Sequence, residues 1–158
     1  MKDIQTYFCE ARRLSTCNNI SMAAVIETPN GEVILGWNGP PARAGEHLSC
    51  LLGGPITSEN LRKCPSVHAE VRAICRAAEK GIALKGGTIY LSEWFPCLPC
   101  AIAIIEAGLS TLVITEEINF TKDDCYNFKL ARKYLDDAGV EIRLRPELSL
   151  KNINKKFQ

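Results

Sequence analysis

The sequence predicts an α/β fold, a three-layer αβα sandwich around a mixed five-stranded sheet, and three observations carry that prediction. Two short apolar runs flank the turn Thr28-Pro29-Asn30-Gly31-Glu32, and from residue 67 to residue 144 strand and helix periods alternate. A chain of 158 residues with 46% hydrophobic content is long enough to bury a substantial core and too short for two domains. A hairpin feeding strand-helix-strand units gives antiparallel pairing at one side of the sheet, parallel pairing at the other, and helices on both faces.

Taken in order, residues 3–16 place Ile4, Tyr7, Phe8, Ala11 and Leu14 on one helical face. Residues 22–26 and 33–37 read as strands, because Asn30-Gly31 supports the positive backbone angles of a tight hairpin. Residues 38–66 show no period and many breakers, including Gly39, Pro40, Pro41, Gly45, Gly53, Gly54 and Pro55, and so long a loop in a small domain is usually functional or flexible rather than idle. Residues 67–80 form the next helix, with Val67, Val71, Ile74, Cys75 and Ala78 on its apolar face and Gly81 behind it. A strand over 88–91, a helix over 97–107 closed by Gly108, and a strand over 112–115 follow. The last pair is a helix over 123–138, with Phe128, Ala131, Leu135 and Ala138 apolar, and a strand over 140–144. The whole of 1–158 reads as a single domain with a polar, lysine-rich tail over 145–158.

Bulk properties narrow the partners. Nineteen basic residues against eighteen acidic ones leave a net charge of +1, which speaks against a nucleic-acid partner and for a small-molecule one. The N-terminus lacks a charged-then-apolar leader and no stretch approaches the ~20 apolar residues of a bilayer span, so the expected location is cytoplasmic, with no membrane partner. In a reducing compartment eight cysteines read as metal ligands or buried apolar residues, and Cys9, Cys75 and Cys125 are expected to be of the buried kind.

The chemistry lies in His68-Ala69-Glu70 and Pro96-Cys97-Leu98-Pro99-Cys100. One imidazole and two thiolates fill three tetrahedral positions of Zn²⁺ and leave the fourth for water. Residues two apart on a helix point to nearly opposite sides, so His68 and Glu70 converge only off a first turn; Pro96 likewise suits a helix start, where Cys97 and Cys100 share a face. Two helix N-termini then aim their positive dipole ends at one metal, favouring ionised Cys97 and Cys100 beside a neutral His68. Glu70, which is not a ligand in this reading, carries a proton from the water to a substrate ring nitrogen and then to a departing amine. The reaction so described is hydrolytic deamination.

His-x-Glu followed by Pro-Cys-x-x-Cys resembles the cytidine and deoxycytidylate deaminase superfamily, whose signature it is. The resemblance spans residues 22–142 and implies a cytidine deaminase-like fold, catalytic zinc and a nucleotide substrate. Gly36-Trp37-Asn38-Gly39-Pro40-Pro41, Cys64-Pro65-Ser66-Val67-His68-Ala69-Glu70 and Phe95-Pro96-Cys97 are most similar to deoxycytidylate (dCMP) deaminases. That resemblance implies that Asn38 hydrogen-bonds sugar or base, that the Ala69 backbone binds the pyrimidine carbonyl, and that Ser92, Trp94 and Phe95 line the pocket. It also implies a homo-oligomer. The chain departs from the family pattern at Met22-Ala23-Ala24-Val25-Ile26, where a glycine is usual, and at Trp37, where tyrosine is usual.

Competing readings attach to the same residues. Cys64 could close the metal site as Cys₃His with His68, Cys97 and Cys100, which would leave no open position. It could instead join Cys17, His47 and Cys50 in a second, structural zinc site of the kind some related dCMP deaminases carry. Asn38 also suits a plain Asn-Gly turn, and Arg43 and Lys122 are either phosphate contacts or solvated surface. The expected activity is dCMP to dUMP plus ammonia; the alternatives are deamination of guanine, cytidine or adenosine in transfer RNA, and a zinc-stabilised binding domain without turnover.

Overall fold

The computed structural model describes residues 3–17, 19–41, 59, 63–120 and 125–151. Its elements are α1 (Ile4–Arg13), β1 (Ala23–Glu27), β2 (Val33–Trp37), α2 (Ala69–Glu79), β3 (Thr88–Leu91), α3 (Leu98–Glu106), β4 (Thr111–Ile114), α4 (Phe128–Asp137), β5 (Glu141–Leu144) and a 3₁₀ turn (Pro146–Leu148). The five strands form one sheet in the order β2-β1-β3-β4-β5. β1 runs antiparallel to both β2 and β3, and β3-β4-β5 are parallel, which is the mixed sheet expected from a hairpin followed by right-handed crossovers.

Period-two alternation sorts the strand side chains into two cores. Ala24, Ile26 and Ile34 join the larger cluster under α2, α3 and α4, with Ile89, Ile104, Leu112 and Leu135 fully buried. Ala23 and Val25 point the other way, where Phe8 and Ala11 of α1 cover them together with Leu148. Three helices on one face and α1 on the other complete the three layers. Each fully buried Ile or Leu contributes roughly 1.5–3 kcal/mol.

Two helices differ from expectation for identifiable reasons. The buried face of α2 is Ala69, Glu70, Ala73 and Ala77, not the line through Val71, Cys75 and Ala78. A Cβ added to Gly36 of β2 would stand 2.1 Å from the Ala69 carbonyl oxygen and 2.7 Å from Ala73 Cβ, so helix and strand meet where only glycine and alanine fit. Cys75 consequently faces solvent, and Cys9 and Cys125 are only half-buried, which corrects the expectation of three core cysteines. α4 begins at Phe128 rather than near residue 123, because Asn127 adopts a left-handed conformation (φ 54°) and Cys125-Tyr126 form a turn whose Tyr126 carbonyl accepts the Leu98 N–H at 3.1 Å.

Polar contacts fix the segments that flank the site. Asn38 Oδ1 accepts from Met22 N and from Ser15 Oγ, both at 2.8 Å, and its Nδ2 donates to the Ile20 carbonyl at 2.7 Å. Gly39 and Val67 exchange backbone hydrogen bonds of 3.1 and 2.8 Å, which stitches the end of β2 to the chain entering α2. The Trp37 indole is covered by the guanidinium groups of Arg76 and Arg72, 4.7 and 5.4 Å from its centroid, and Arg72 also donates to the Gly39 and Pro40 carbonyls. The larger aromatic at this position thus anchors two arginines of α2.

Gly36→Ala is expected to lower the unfolding free energy by about 1–3 kcal/mol in chemical denaturation, because neither the Ala69 carbonyl nor the Ala73 methyl can retreat without moving the helix. An unchanged denaturation midpoint would show that the contact is softer than its geometry.

Candidate metal centre and active site

Two helix starts meet above the centre of the sheet. His68 is the N-cap residue of α2 and Cys97 that of α3; both have extended backbones, and neither side chain caps its own helix. An N-cap that does not cap has its donor atoms free for another partner. Pro99 lies in the first turn of α3, where its missing N–H leaves no vacancy in the ladder.

Cys97 Sγ and Cys100 Sγ lie 3.4 and 3.3 Å from His68 Nδ1. Donors held at roughly 2.0–2.3 Å on tetrahedral corners stand about 3.5 Å apart, so the three atoms fit a zinc ion without rearrangement. Among the described residues this is the one group of three or more His, Cys, Asp or Glu side chains whose ligand atoms all lie within 4.8 Å of one another. Cys64 lines the same cavity but stands outside that group, so it does not close the site as a fourth ligand. Cys17 and Cys64 are half-buried free thiols, while His47, Cys50, Arg43 and Lys122 lie outside the described residues.

The electrostatics follow from crowding donors into a buried place. A hydrogen bond from Cys100 and the neighbouring His68 bring the Cys97 thiol down to about 5. Cys100 is pushed up, first by its bond to the Cys97 sulfur and then by burial, because two adjacent thiolates repel. His68 is raised to about 9 by its hydrogen bond to Cys97, against the opposing effect of burial. The metal-free centre is therefore a Cys97 thiolate with a His68 imidazolium and a Cys100 thiol. The neutral imidazole and paired thiolates expected from sequence require the cation's charge.

Glu70 is 6% exposed in the first turn of α2, and burial raises its carboxyl above the ordinary range, with His68 opposing. It is bonded to Cys100 and to its own backbone N–H, beside the donor cluster but outside it. A buried carboxyl of raised proton affinity is suited to holding and returning a proton near neutral pH.

The donors open onto a cavity of about 630 Å³ lined by Cys64, Ser66, Val67, His68, Val71, Cys97, Pro99, Cys100, Cys125, Tyr126 and Asn127. Sequence reading missed Tyr126, whose ring stacks on Phe128 at 5.2 Å and meets Trp94 edge-on at 5.7 Å. Only the left-handed Asn127 and the turn tied to α3 bring it there, and no spacing signalled either.

The other residues singled out from sequence are not among the described lining of this cavity. Asn38 is buried and its amide oxygen is engaged by the chain itself. Ser92 is fully buried, its hydroxyl accepting the Ala23 N–H at 2.9 Å. Phe95 belongs to the core against Phe128, and Trp94 backs the Tyr126 ring. Ala69 is buried under Gly36 as the first residue of α2, a position whose N–H has no intrahelical acceptor. Glu93, which the resemblance places in the pocket-lining run from Ser92 to Phe95, is buried between strand β3 and Cys97 and pairs with Arg12 of α1 at 3.3 Å.

This donor set is of the kind that holds zinc, carried at the starts of two helices of an αβα fold. The family model for the cytidine and deoxycytidylate deaminase zinc-binding region matches residues 2–116, and the chain belongs to that family. Deoxycytidylate deaminase of Enterobacteria phage T2 is 30% identical over 159 residues, covering 91% of this chain and 81% of the phage protein. The Homo sapiens deoxycytidylate deaminase is 30% identical over 139 residues, covering 86% and 73%. ComE operon protein 2 of Bacillus subtilis is also 30% identical, and this chain spans 61% of its length. The dCMP deaminase of cyanophage S-TIM5, crystallised with dCMP and dUMP, shares the fold with a TM-score of 0.65 at 22% identity, over 89% of this chain and 93% of that one. No helix among the described residues is long and apolar enough to cross a membrane.

Zinc binding to the metal-free protein at pH 7 is expected to release about two protons from the ligands, one from His68 and one from Cys100, since Cys97 is already ionised. Affinity should accordingly rise with pH between the Cys97 and His68 values, about 5 and 9. Calorimetry in buffers of different ionisation enthalpy reads the proton count, and a value near zero would contradict this charge assignment.

Proposed function

We propose that the protein catalyses the hydrolytic deamination of a cytosine nucleotide, with dCMP as substrate and dUMP and ammonia as products. The observation that carries this reading is the convergence of His68, Cys97 and Cys100 on one point at the cavity, with the buried carboxyl of Glu70 bonded to Cys100. The choice of dCMP rests on the relatives that carry the name deoxycytidylate deaminase across most of this chain's length.

His68 Nδ1, Cys97 Sγ and Cys100 Sγ would hold zinc, which would supply Lewis acidity and acidify water. Glu70 takes a proton from the attacking water as its oxygen bonds to C4 of the pyrimidine, and delivers that proton to ring N3. It then carries the second proton to the amino group, the C4–N bond breaks, and ammonia leaves as the carbonyl forms. In this reading the N–H of Ala69, which has no intrahelical acceptor, meets the pyrimidine carbonyl, and Tyr126 of the cavity lining gives the base a ring to stack on. Asn38, Ser92, Trp94 and Phe95 act from behind, holding the strand ends and the Tyr126 ring in place.

Purified protein with measured zinc content, offered cytosine, cytidine, deoxycytidine, dCMP, dCTP, guanine and adenosine while ammonia is assayed, is expected to prefer dCMP by kcat/KM. Preference for another base would overturn the substrate assignment. Glu70→Gln is expected to lower kcat by about 10³-fold or more with one zinc per chain retained. Undiminished turnover in that variant would remove the proton-transfer role.

A further inference from the structure

Four charged side chains from four separate segments meet at the carboxyl ends of β3 and β4. Glu93, two residues beyond β3, has its Oε1 3.3 Å from Arg12 of α1. Glu116, two residues beyond β4, has its Oε1 2.5 Å from Lys151 Nζ in the C-terminal segment. The Glu93 and Glu116 carboxyls are in turn hydrogen-bonded to each other. The backbone beside them is tied in the same way: the Thr115 hydroxyl donates to the Ser92 carbonyl at 3.0 Å, and the Ser92 N–H donates to the Ala23 carbonyl at 3.0 Å. None of the four charged groups is among the metal donors or the described lining of the cavity.

The environments of these charges are unequal. Glu93 is 7% exposed, whereas the Arg12 and Lys151 side chains are 34% and 64% exposed, so water screens both cations and leaves the buried carboxyl poorly compensated. Two carboxylates within hydrogen-bonding reach repel, and holding a single proton between them turns that repulsion into a charge-assisted bond. Burial raises the Glu93 carboxyl above its ordinary range; Arg12 of α1 and Lys151 of the C-terminal segment oppose the rise, and Glu116 reinforces it. We infer that Glu93 and Glu116 share one proton, and that this acid pair is a pH-sensitive latch fastening α1 and the C-terminal segment to the strand end from which the Cys97 arm departs. Glu93 O–H donates to the Glu116 carboxylate, Glu93 Oε1 accepts from Arg12, and Glu116 pairs with Lys151, which leaves each group with a partner. Loss of the shared proton leaves a buried carboxylate against a second one, and the latch weakens. Because the folded-state value of Glu93 is raised, its contribution to stability is present below the ordinary glutamate range and is lost as pH rises through the value of the pair. The latch is independent of which nucleotide the cavity takes.

The test follows the Glu93 carboxyl carbon by NMR through a pH titration of the zinc-loaded protein. Its midpoint is expected above that of an ordinary glutamate in wild type, lower in Glu116→Gln, where the neighbouring charge is gone, and higher in Lys151→Ala, where an opposing cation is gone. Chemical denaturation gives a second readout. Glutamine copies the protonated carboxyl, donating through its amide to Glu116 and accepting from Arg12, but carries no charge to lose. The denaturation midpoint of Glu93→Gln should therefore gain on that of wild type as pH rises from about 5.5 to about 8 and exceed it at the upper end. A Glu93 midpoint at or below the ordinary value, or one indifferent to Glu116→Gln, would overturn the shared proton. Glu93→Gln less stable than wild type at about pH 8 would also overturn it, since that result marks an ionised Glu93 held by Arg12. Should either glutamine variant fail to fold, the wild-type titration alone decides.

Discussion

The close approach of α2 to β2 is the constraint on which the rest of the molecule depends. Gly36 admits the Ala69 carbonyl and the Ala73 methyl into space that any Cβ would occupy, and His68 and Glu70 sit on either side of Ala69. From β3, separated from β2 by β1, the β3-α3 connection delivers Cys97 and Cys100 to the same centre. Because both helices start at a donor residue rather than a capping one, their unsatisfied N–H groups and positive dipole ends face a common centre. The helix starts forgo capping, an interaction worth about 1 kcal/mol at each N-cap, and gain an electropositive environment that favours thiolate.

Burial then sets the proton inventory. In a dry, crowded centre the charges cannot all be independent: Cys97 ionises because His68 and Cys100 donate to it, Cys100 keeps its proton for the same reason, and Glu70 is pushed toward the protonated form by its lack of solvent. A cation entering this place displaces protons that the site already holds in readiness. The same burial that makes Glu70 costly to fold raises its proton affinity, which suits the proton-carrying role proposed for it.

Polar residues farther out hold the frame. Asn38 spends its amide on residues 15, 20 and 22, Arg72 and Arg76 clamp Trp37, and Glu93 reaches Arg12 from the strand end that leads to Cys97. The arginines tie α2 to β2, Asn38 ties the end of β2 to the segment between α1 and β1, and Glu93 ties the end of β3 to α1. Ser66, whose buried hydroxyl has no hydrogen-bond partner, lines the cavity.

Much of this was legible in the residues alone. The Asn-Gly turn and the alternating periods gave the strand order its mixed character, and His-x-Glu with Pro-Cys-x-x-Cys named the three donors and the carboxyl, because such signals are local and reside in spacing. The tertiary structure decided what distant segments must negotiate. Hydrophobicity pointed α2 along Val71 and Cys75, but contact with Gly36 turned its alanines inward. Periodicity began α4 too early, since it could not register the left-handed Asn127 that places Tyr126 beside the metal donors. Sequence spacing records which side chains share a face of one element; which faces can come close, and which polar groups remain free once they have, is set by steric fit between elements far apart in the chain.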